Sequence, residues 1–549
     1  MLSKKYLIGA MILLFLVVGL FSSVRMAKAT GVIKIGIFGP MSIPHYPHWE
    51  AGMWTAAEML KEQINSAGGW TIGGTTYTIE MYYADEYTHD YQNTAGIEKS
   101  VRDLCITYDV DFIIGGFRTE CVEHAIDYWY EQGYSESVPW FINGAATNEL
   151  LSNNTGVNHE GYRHLYRSMP TNSTALFSTF TAAVKTYLCS DDGILTTLFG
   201  KQLWPGGPKQ VRTAIIMEDL EWTKTMWYYL VTNKTLSAYL LGPHVNVTYA
   251  TRLKDIYDPQ YNPQQVVDAV AAMKAAGCNL LLHVFSGGTG QVLIQQWRAQ
   301  EAPALPVGIN VVSQTYGMWS KTSGACEYES HLMAMGTRSP LTPQLVKFWD
   351  DFIAYSIAHN IGLDPPHNWP VYTAVGVGNA LITIKTAAQA VGSLDIEAIH
   401  DYLCPLENPS AAPIQVLTGL AKFTKEHDVY QSTYDYSAYW TGYARSWVVQ
   451  WLDESLELVY PVKFLANMSR IPFVKIWCLP PWMYPLLWDI TYDGYVGVDD
   501  VVGAAENFGA EPGDPRWDHR SDVTFDNYVG VDDIVGIAEH FGSEWPGPP

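Results

Sequence analysis

Acidic residues recur at fixed spacing near the end of this 549-residue chain: Asp489, Asp493, Asp499 and Asp500, then Asp522, Asp526, Asp532 and Asp533. The sets lie 33 residues apart within WDITYDGYVGVDDVVGAAENFG (488–509) and SDVTFDNYVGVDDIVGIAEHFG (521–542), which are identical at 15 of 22 positions. Counted from the first Asp, carboxylates fall at loop positions 1, 5, 11 and 12, the oxygen cluster that a hard divalent cation requires. The predicted chemistry is Ca2+ binding, one loop-plus-helix unit per copy.

Those 62 residues leave some 450 to be explained separately, and the length is too great for one core. The formal charge of −23 offers no phosphate-neutralising face, so nucleic acid is excluded as a partner. From Asp489 onward there are 14 acidic and 2 basic side chains, so about half of the imbalance belongs to the repeats. Lys4 and Lys5, the apolar run 6–21 and Ala27-Lys28-Ala29 have the layout of a secretory signal over residues 1–29. An uncleaved anchor is the alternative, since the run approaches the ~20 residues that span a bilayer. A secreted or cell-surface location is expected, and five N-x-S/T sequons, at Asn153, Asn172, Asn233, Asn246 and Asn467, fit a surface protein. The seven cysteines show no C-x-x-C pair, which argues against a zinc site or a thioredoxin-type motif. Cys105 and Cys121 flank a predicted strand and are candidates for pairing.

Strand-like runs alternate with helical ones. Strands are expected at 32–38, 76–83, 110–114 and 139–143, with helices at 50–65, 93–108 and 122–132 between them. A second series has strands at 210–217, 245–250, 279–285 and 305–310, and helices at 221–236, 263–275 and 290–300. A long helix over 371–390 is placed to return to the first half, and a strand follows at 447–452. Alternation at this pitch predicts an α/β fold of two doubly wound lobes with a cleft between them and ligand-facing loops at strand carboxyl ends. The division is a two-lobed domain over 30–455, a Pro-rich spacer over 456–487 and the calcium-binding repeats over 488–549.

The opening IKIGIFGPMS, the helix end INSAGGW, then DFIIGGFRT (111–119), PWFINGAATNEL (139–150), HVFSGGTGQVLIQQW (283–297) and GLAKFT through VVQW (419–451) occur in an order that resembles the branched-chain amino-acid type of periplasmic solute-binding protein. The resemblance implies a type I Venus-flytrap receptor that closes on a small solute, an amino acid or similar, and delivers it to an ABC permease. It further implies that the first lobe holds a ligand carboxylate on backbone N–H groups and hydroxyls at Thr119, Ala145 and Thr147, because helix N-termini favour anions. The second lobe would offer Phe285 as an aromatic and a carboxylate for the ligand ammonium, but Asn310 stands at the acid's place. Glu218, Asp219 and Glu221 are candidates for the missing charge. Ser42, His45, Tyr46, His48 and Trp49 form an aromatic and imidazole cluster after the first strand, with Tyr46 a candidate ligand contact.

The C-terminal copies resemble dockerin repeats, small EF-hand-like calcium modules. That likeness implies Ca2+ ligands at Asp489, Thr491, Asp493, the Tyr495 carbonyl and Asp500, and at Asp522, Thr524, Asp526, the Tyr528 carbonyl and Asp533. It also implies a cohesin-like surface partner. Val501, Ala505 and Phe508 are read as one apolar helix face, and Ile534, Ala538 and Phe541 as its counterpart.

The expected function is an extracytoplasmic substrate-binding receptor of an ABC importer. A ligand sensor of the same fold, signalling to a surface partner, is the alternative. A hydrolase is disfavoured, because G-x-S-x-G and H-E-x-x-H are both absent.

Overall fold

The computed structural model describes residues 31–41, 52–202, 208–338, 342–361, 369–430, 442–461, 475, 477–480, 483, 488–491, 495–511, 514, 516–517, 521–524, 526 and 528–543. They form two compact units, one of residues up to 171 with 340–430, the other of 172–339 with 431 onward.

The first unit is built on β1 (Gly31–Gly39), where Ile33, Ile35, Ile37 and Phe38 are wholly buried. An apolar run buried on both faces can only be an interior parallel strand, and each such side chain contributes about 2 kcal/mol of burial. The chain continues through α1 (Met53–Ser66), β2 (Trp70–Ile72), β3 (Thr75–Asp85), α2 (Thr94–Arg102), β4 (Phe112–Gly115), α3 (Thr119–Glu131), β5 (Trp140–Ile142) and β6 (Leu165–Arg167). The sheet order is β2-β3-β1-β4-β5-β6, parallel except for the β2–β3 hairpin. The strand order reverses between β1 and β4, so the ligand crevice of such a sheet lies at their carboxyl ends. Gly115 and Gly116, both at positive φ, turn the chain there, and Gly116 N–H reaches the Phe38 carbonyl at 2.7 Å. A Cβ on Gly115 would meet that carbonyl oxygen at 2.1 Å.

The second unit starts with α4 (Ser173–Ala183) and a short β7 (Lys201–Gln202), then β8 (Lys209–Glu218), β9 (Val245–Leu253), α5 (Gln264–Ala275), β10 (Leu280–Phe285), α6 (Gly288–Ala299), β11 (Leu305–Asn310) and β12 (Ser330–Met333). The chain then returns to the first unit as α7 (Pro343–Ala358), α8 (Tyr372–Val391), α9 (Ile396–Leu403) and the hairpin β13 (Ile414–Val416) and β14 (Gly419–Ala421). It ends in the second unit with antiparallel β15 (Trp447–Leu452) and β16 (Ser455–Tyr460) on the edge beside β12, followed by α10 (Val498–Glu506) and α11 (Val531–Glu539). The expected spacer therefore begins as a sheet strand, because Leu456, Leu458 and Tyr460 are buried. α8 is apolar almost all round and packs on α1 and β4 within its own unit. Among the described residues, no helix is long and apolar enough to cross a membrane.

Local chemistry shifts several expected elements. The helix expected over 221–236 breaks at Asn233, whose side chain accepts the Leu236 N–H at 3.1 Å and starts a new helix. The helix expected over 93–108 is capped by Asn93 and opens into a π turn over Asp103–Thr107. Asn172 is buried and caps α4 through the Ala175 N–H, so its sequon is not a surface site. Cys105 and Cys121 do not pair; both are free thiols packed in one apolar core cluster.

In the second unit His283, Gly308 and His331 are in register across β10, β11 and β12. A Cβ on Gly308 would lie 1.8 Å from the His283 carbonyl oxygen, which no relaxation of a central strand accommodates. Gly308→Ala is expected to destabilise the second unit by about 3 kcal/mol. The measurement is urea unfolding of wild type and variant; equal midpoints would contradict the packing described.

Candidate ligand site at the strand ends

In the first unit the resemblance places a ligand carboxylate on N–H groups near Thr119. The structure fills that position with the chain's own Glu86, which follows β3 directly. Its carboxylate accepts the N–H of Phe117 at 2.6 Å and of Arg118 at 3.1 Å, at the start of α3, and the Thr88 hydroxyl also donates to it. Burial pushes the Glu86 carboxyl up to about 7, while these three hydrogen bonds oppose the shift and Asp85 adds to it. Arg118, the N-cap residue of α3, is buried with its guanidinium 4.1 Å from the Tyr91 ring centroid. Thr119 is buried in the first turn and does not cap the helix.

Ala145 is wholly buried, and its N–H donates to the Gly116 carbonyl at 3.1 Å. That link ties the turn after β5 to the turn after β4, so the Ala145 N–H is committed to the backbone. The Thr147 hydroxyl donates to Glu149, and the Thr147 carbonyl accepts from Arg167 at 2.7 Å. Arg167 is itself wholly buried and paired with Asp428 at 2.7 Å. Thr147 does not cap the following short helix, whose N-cap is Asn148. Thr119, Ala145 and Thr147 thus belong to one end of one sheet, but Ala145 and Thr147 are engaged in holding it together. Tyr46 lies outside the described residues.

The second unit reverses its strand order between β8 and β10, and three acids or hydroxyls meet at the carboxyl ends there. Glu218 ends β8 and is wholly buried; its Oε1 accepts from Trp222 Nε1 and from the Ser286 hydroxyl, each at 2.6 Å. Its other oxygen, Oε2, is buried without a hydrogen-bond partner among the described residues. Burial and then the charge of buried Asp255, just past β9, push Glu218 up to about 7. Asp219 and Glu221 are neutralised, by Arg252 at 2.9 Å and Lys254 at 3.0 Å for the first and by Lys224 for the second. Of the three acids considered, Glu218 alone keeps an unbalanced carboxyl.

Two further expected contacts, Phe285 and Asn310, lie in the interior of the second unit. Phe285 is wholly buried. Asn310 does not stand in for a missing acid: it donates Nδ2–H to buried Glu329 at 2.7 Å, alongside His283 Nε2 at 3.1 Å and the Ser313 hydroxyl at 2.6 Å. Burial raises Glu329, but the His283 hydrogen bond and charge outweigh it and hold the carboxyl below its ordinary value. Sequence reading missed Glu86 and Glu329 because their partners lie some 20 to 50 positions away. The Asp85-Glu86 pair at the end of β3 was the one available signal.

In the tail, Asp533 accepts the N–H groups of Thr524 and Gly530 and the Thr524 hydroxyl, at 2.9, 2.7 and 3.0 Å. Asp500 repeats this with Thr491 and Gly497. Oxygens of Asp522, Asp526 and Asp533 lie within 4.8 Å of one another, a hard-donor set that fits Ca2+. Asp489 is buried beside Thr491; Asp493 lies outside the described residues, and Tyr495 and Tyr528 sit in the loops. The helix faces differ from expectation. Ala504 and Ile537 are buried with Ile490, Val496 and Val523, with Val501 and Ile534 packed against them, whereas Ala505, Phe508, Ala538 and Phe541 are exposed. The buried stripe is set by the loop residues that fold back over the helices, which a helical wheel does not include.

No family model and no curated protein matches the chain. Solved structures do. An R. palustris solute-binding protein of an ABC transporter, in complex with benzoate, is similar at 15% identity and a TM-score of 0.55, over 82% of this chain and 100% of that one. The branched-chain amino-acid substrate-binding protein LivJ of Streptococcus pneumoniae, in complex with isoleucine, gives 14% and 0.54 over 78% and 100%. The leucine-binding protein LivK of Thermotoga maritima gives 12% and 0.51 over 78% and 97%. The fold is therefore the mixed α/β fold of the type I periplasmic solute-binding proteins.

Glu218 makes stability depend on pH in a definite sense. Below about 4.5, its ordinary value, the carboxyl is protonated in both states and costs nothing. Between there and about 7 the folded chain holds a proton that the unfolded chain has released, so stability falls as pH rises and then levels off. Glu218→Gln keeps an acceptor for Trp222 and Ser286 and is expected to be the more stable protein at pH 8, by on the order of 3 kcal/mol, with the gap closing by pH 4. Urea midpoints across this range measure it; parallel pH profiles would refute the assignment.

Proposed function

We propose that this chain is an extracytoplasmic receptor that binds a small solute at the carboxyl strand ends and hands it to an ABC importer. It is not an enzyme in this reading. The observation that carries it is the unbalanced Glu218 carboxyl, with Asp255 and Ser286, at the strand-order reversal of a sheet shared with solute-binding proteins. A buried acid with an unused oxygen selects a ligand that brings a donor, an ammonium or a hydroxyl. Glu86 occupies the Phe117 and Arg118 N–H groups at the entry to α3, so a ligand carboxylate is not held on those two. An amino acid or an amine-bearing relative of one is the solute class that fits. Thermal shift of the full chain against amino acids, amines, amides and aromatic acids tests this. Amine-bearing solutes are expected to raise Tm, and Glu218→Gln to weaken the effect at least tenfold; a response confined to acids without an amine would overturn the reading.

The tail is proposed to bind Ca2+ through Asp489, Thr491, Asp493, Tyr495 and Asp500 and through Asp522, Thr524, Asp526, Tyr528 and Asp533. Support comes from the converging carboxylates of the second copy. Exposed Val498, Val502 and Phe508, matched by Val531, Val535 and Phe541, form an apolar surface suited to a cohesin-like protein that would tether the receptor. Calcium titration of the full chain by calorimetry is expected to show Kd values of about 0.1–1 mM, as in extracellular modules. Asp533→Asn should remove one site; undiminished binding in Asp500→Asn/Asp533→Asn would refute the assignment.

A further inference from the structure

The first unit gathers three imidazoles, a thiol and a carboxylate that neither the solute site nor the tail uses. His159 lies in the loop that enters β6, His400 on α9, Cys404 at the carboxyl end of α9, Glu407 just beyond it, and His427 after β14. His159 Nε2 is 3.2 Å from His427 Nε2, which is 3.2 Å from Cys404 Sγ, and Cys404 Sγ is 3.6 Å from His159 Nε2. Donor atoms of His159, His400, Cys404 and Glu407 all fall within 4.8 Å of one another. His400 and Cys404 are four residues apart at the end of one helix, the spacing that brings two side chains to one face.

The separations among His159, His427 and Cys404 are near those of a coordination shell. Zinc with bonds of about 2.0 Å to nitrogen and about 2.3 Å to sulfur, arranged as a tetrahedron, sets its donors roughly 3.3–3.6 Å apart. Hydrogen bonds among these groups have the same separations; what points to a metal is that His400 and Glu407 join His159 and Cys404 within 4.8 Å. The ring orientations are fixed from outside. His427 Nδ1 faces the Leu165 carbonyl at 3.1 Å, an atom that only accepts, so Nδ1 carries the hydrogen and Nε2 is left as a bare donor toward the cluster. His400 Nδ1 is held by the Tyr166 hydroxyl at 2.8 Å, which turns its Nε2 inward, and the Tyr166 ring stacks on His427. His400, Cys404 and His427 are buried, whereas His159 is half-buried and Glu407 is exposed, which leaves an entry side.

We propose that His159, His400, Cys404 and His427 bind one Zn2+, with Glu407 at the mouth as a balancing carboxylate. Imidazole nitrogen and thiolate sulfur are the donors that zinc prefers, and four of them complete a tetrahedron. The ion joins the loop before β6, the end of α9 and the segment after β14, three parts of the first unit drawn from positions 159 to 427. The absence of a C-x-x-C pair argued against zinc, and only His400 and Cys404 share a local spacing. This site does not depend on the solute-binding reading.

The test is a Co2+ titration of the EDTA-treated full chain in excess Ca2+, which saturates the all-oxygen tail. One equivalent is expected to give tetrahedral d–d absorption and a thiolate-to-cobalt charge-transfer band, both removed by Zn2+, and Zn2+ is expected to raise Tm. Cys404→Ser should abolish the charge-transfer band. His159→Gln, in a half-buried loop, should weaken Co2+ at least tenfold with an unchanged circular dichroism spectrum, and so serves if the serine variant does not fold. Tyr166→Phe, which frees His400, should cost about tenfold. Absence of the thiolate band in the wild type, or its persistence in Cys404→Ser, would overturn the proposal.

Discussion

Parallel strands cannot be joined by a tight turn, and that constraint organises both units. Each return from one strand to the start of the next needs a crossover, here supplied by helices such as α3 between β4 and β5 and α6 between β10 and β11. Helices on the faces bury β1 and β10 from both sides, so their interiors are apolar but for His283, which is bonded to Glu329. Polar side chains are thereby driven to the strand ends. At the carboxyl ends the crossover helices also begin, and their unpaired N–H groups meet whatever acid is there. Glu86, Glu218 and Asp255 stand at such ends.

The chain holds its buried acids in four different ways, and the differences separate structure from function. Glu86 is satisfied by two backbone N–H groups and a hydroxyl, Glu329 by His283, Asn310 and Ser313, and Asp428 by the buried Arg167. Removing any one of these partners would leave a buried charge or donor stranded. Glu218 is held by two donors on one oxygen and none on the other, beside a second acid. What sets it apart is its position, at the place where a doubly wound sheet binds its ligand.

Runs of apolar residues and their punctuation were enough to read the strands: β11 and β15 fall where the residue pattern puts them, over 305–310 and 447–452. The duplication of the tail was equally plain, since it is a local property of the sequence. What escaped reading depends on contacts between distant positions. Glu86 and Phe117 are 31 residues apart and His159 and His427 are 268 apart, and no spacing rule links them. Phe285 was read as a ligand aromatic from its place at a strand end, yet tertiary packing turned it into core. The stripe through Ala505 and Phe508 failed because Ile490 and Val496, from the loop, complete the tail's core from one side.

An acid buried at a binding site raises the free energy of the empty protein, and that cost has a consequence for affinity. Ionised Glu218 has lost most of its hydration, and hydrogen bonds from Trp222 and Ser286 restore only part of it, so a solute that places a donor on Oε2 recovers more than the same donor would from an exposed carboxylate. Differential binding then comes from relief of a pre-existing deficit, and it discriminates sharply against solutes without a donor, which leave the deficit in place while excluding water. A glutamine at this position would bring an amide N–H of its own, removing both the deficit and the attraction. Stability and recognition are opposed at this residue for one electrostatic reason, the pattern expected of a site kept unfinished until its ligand arrives.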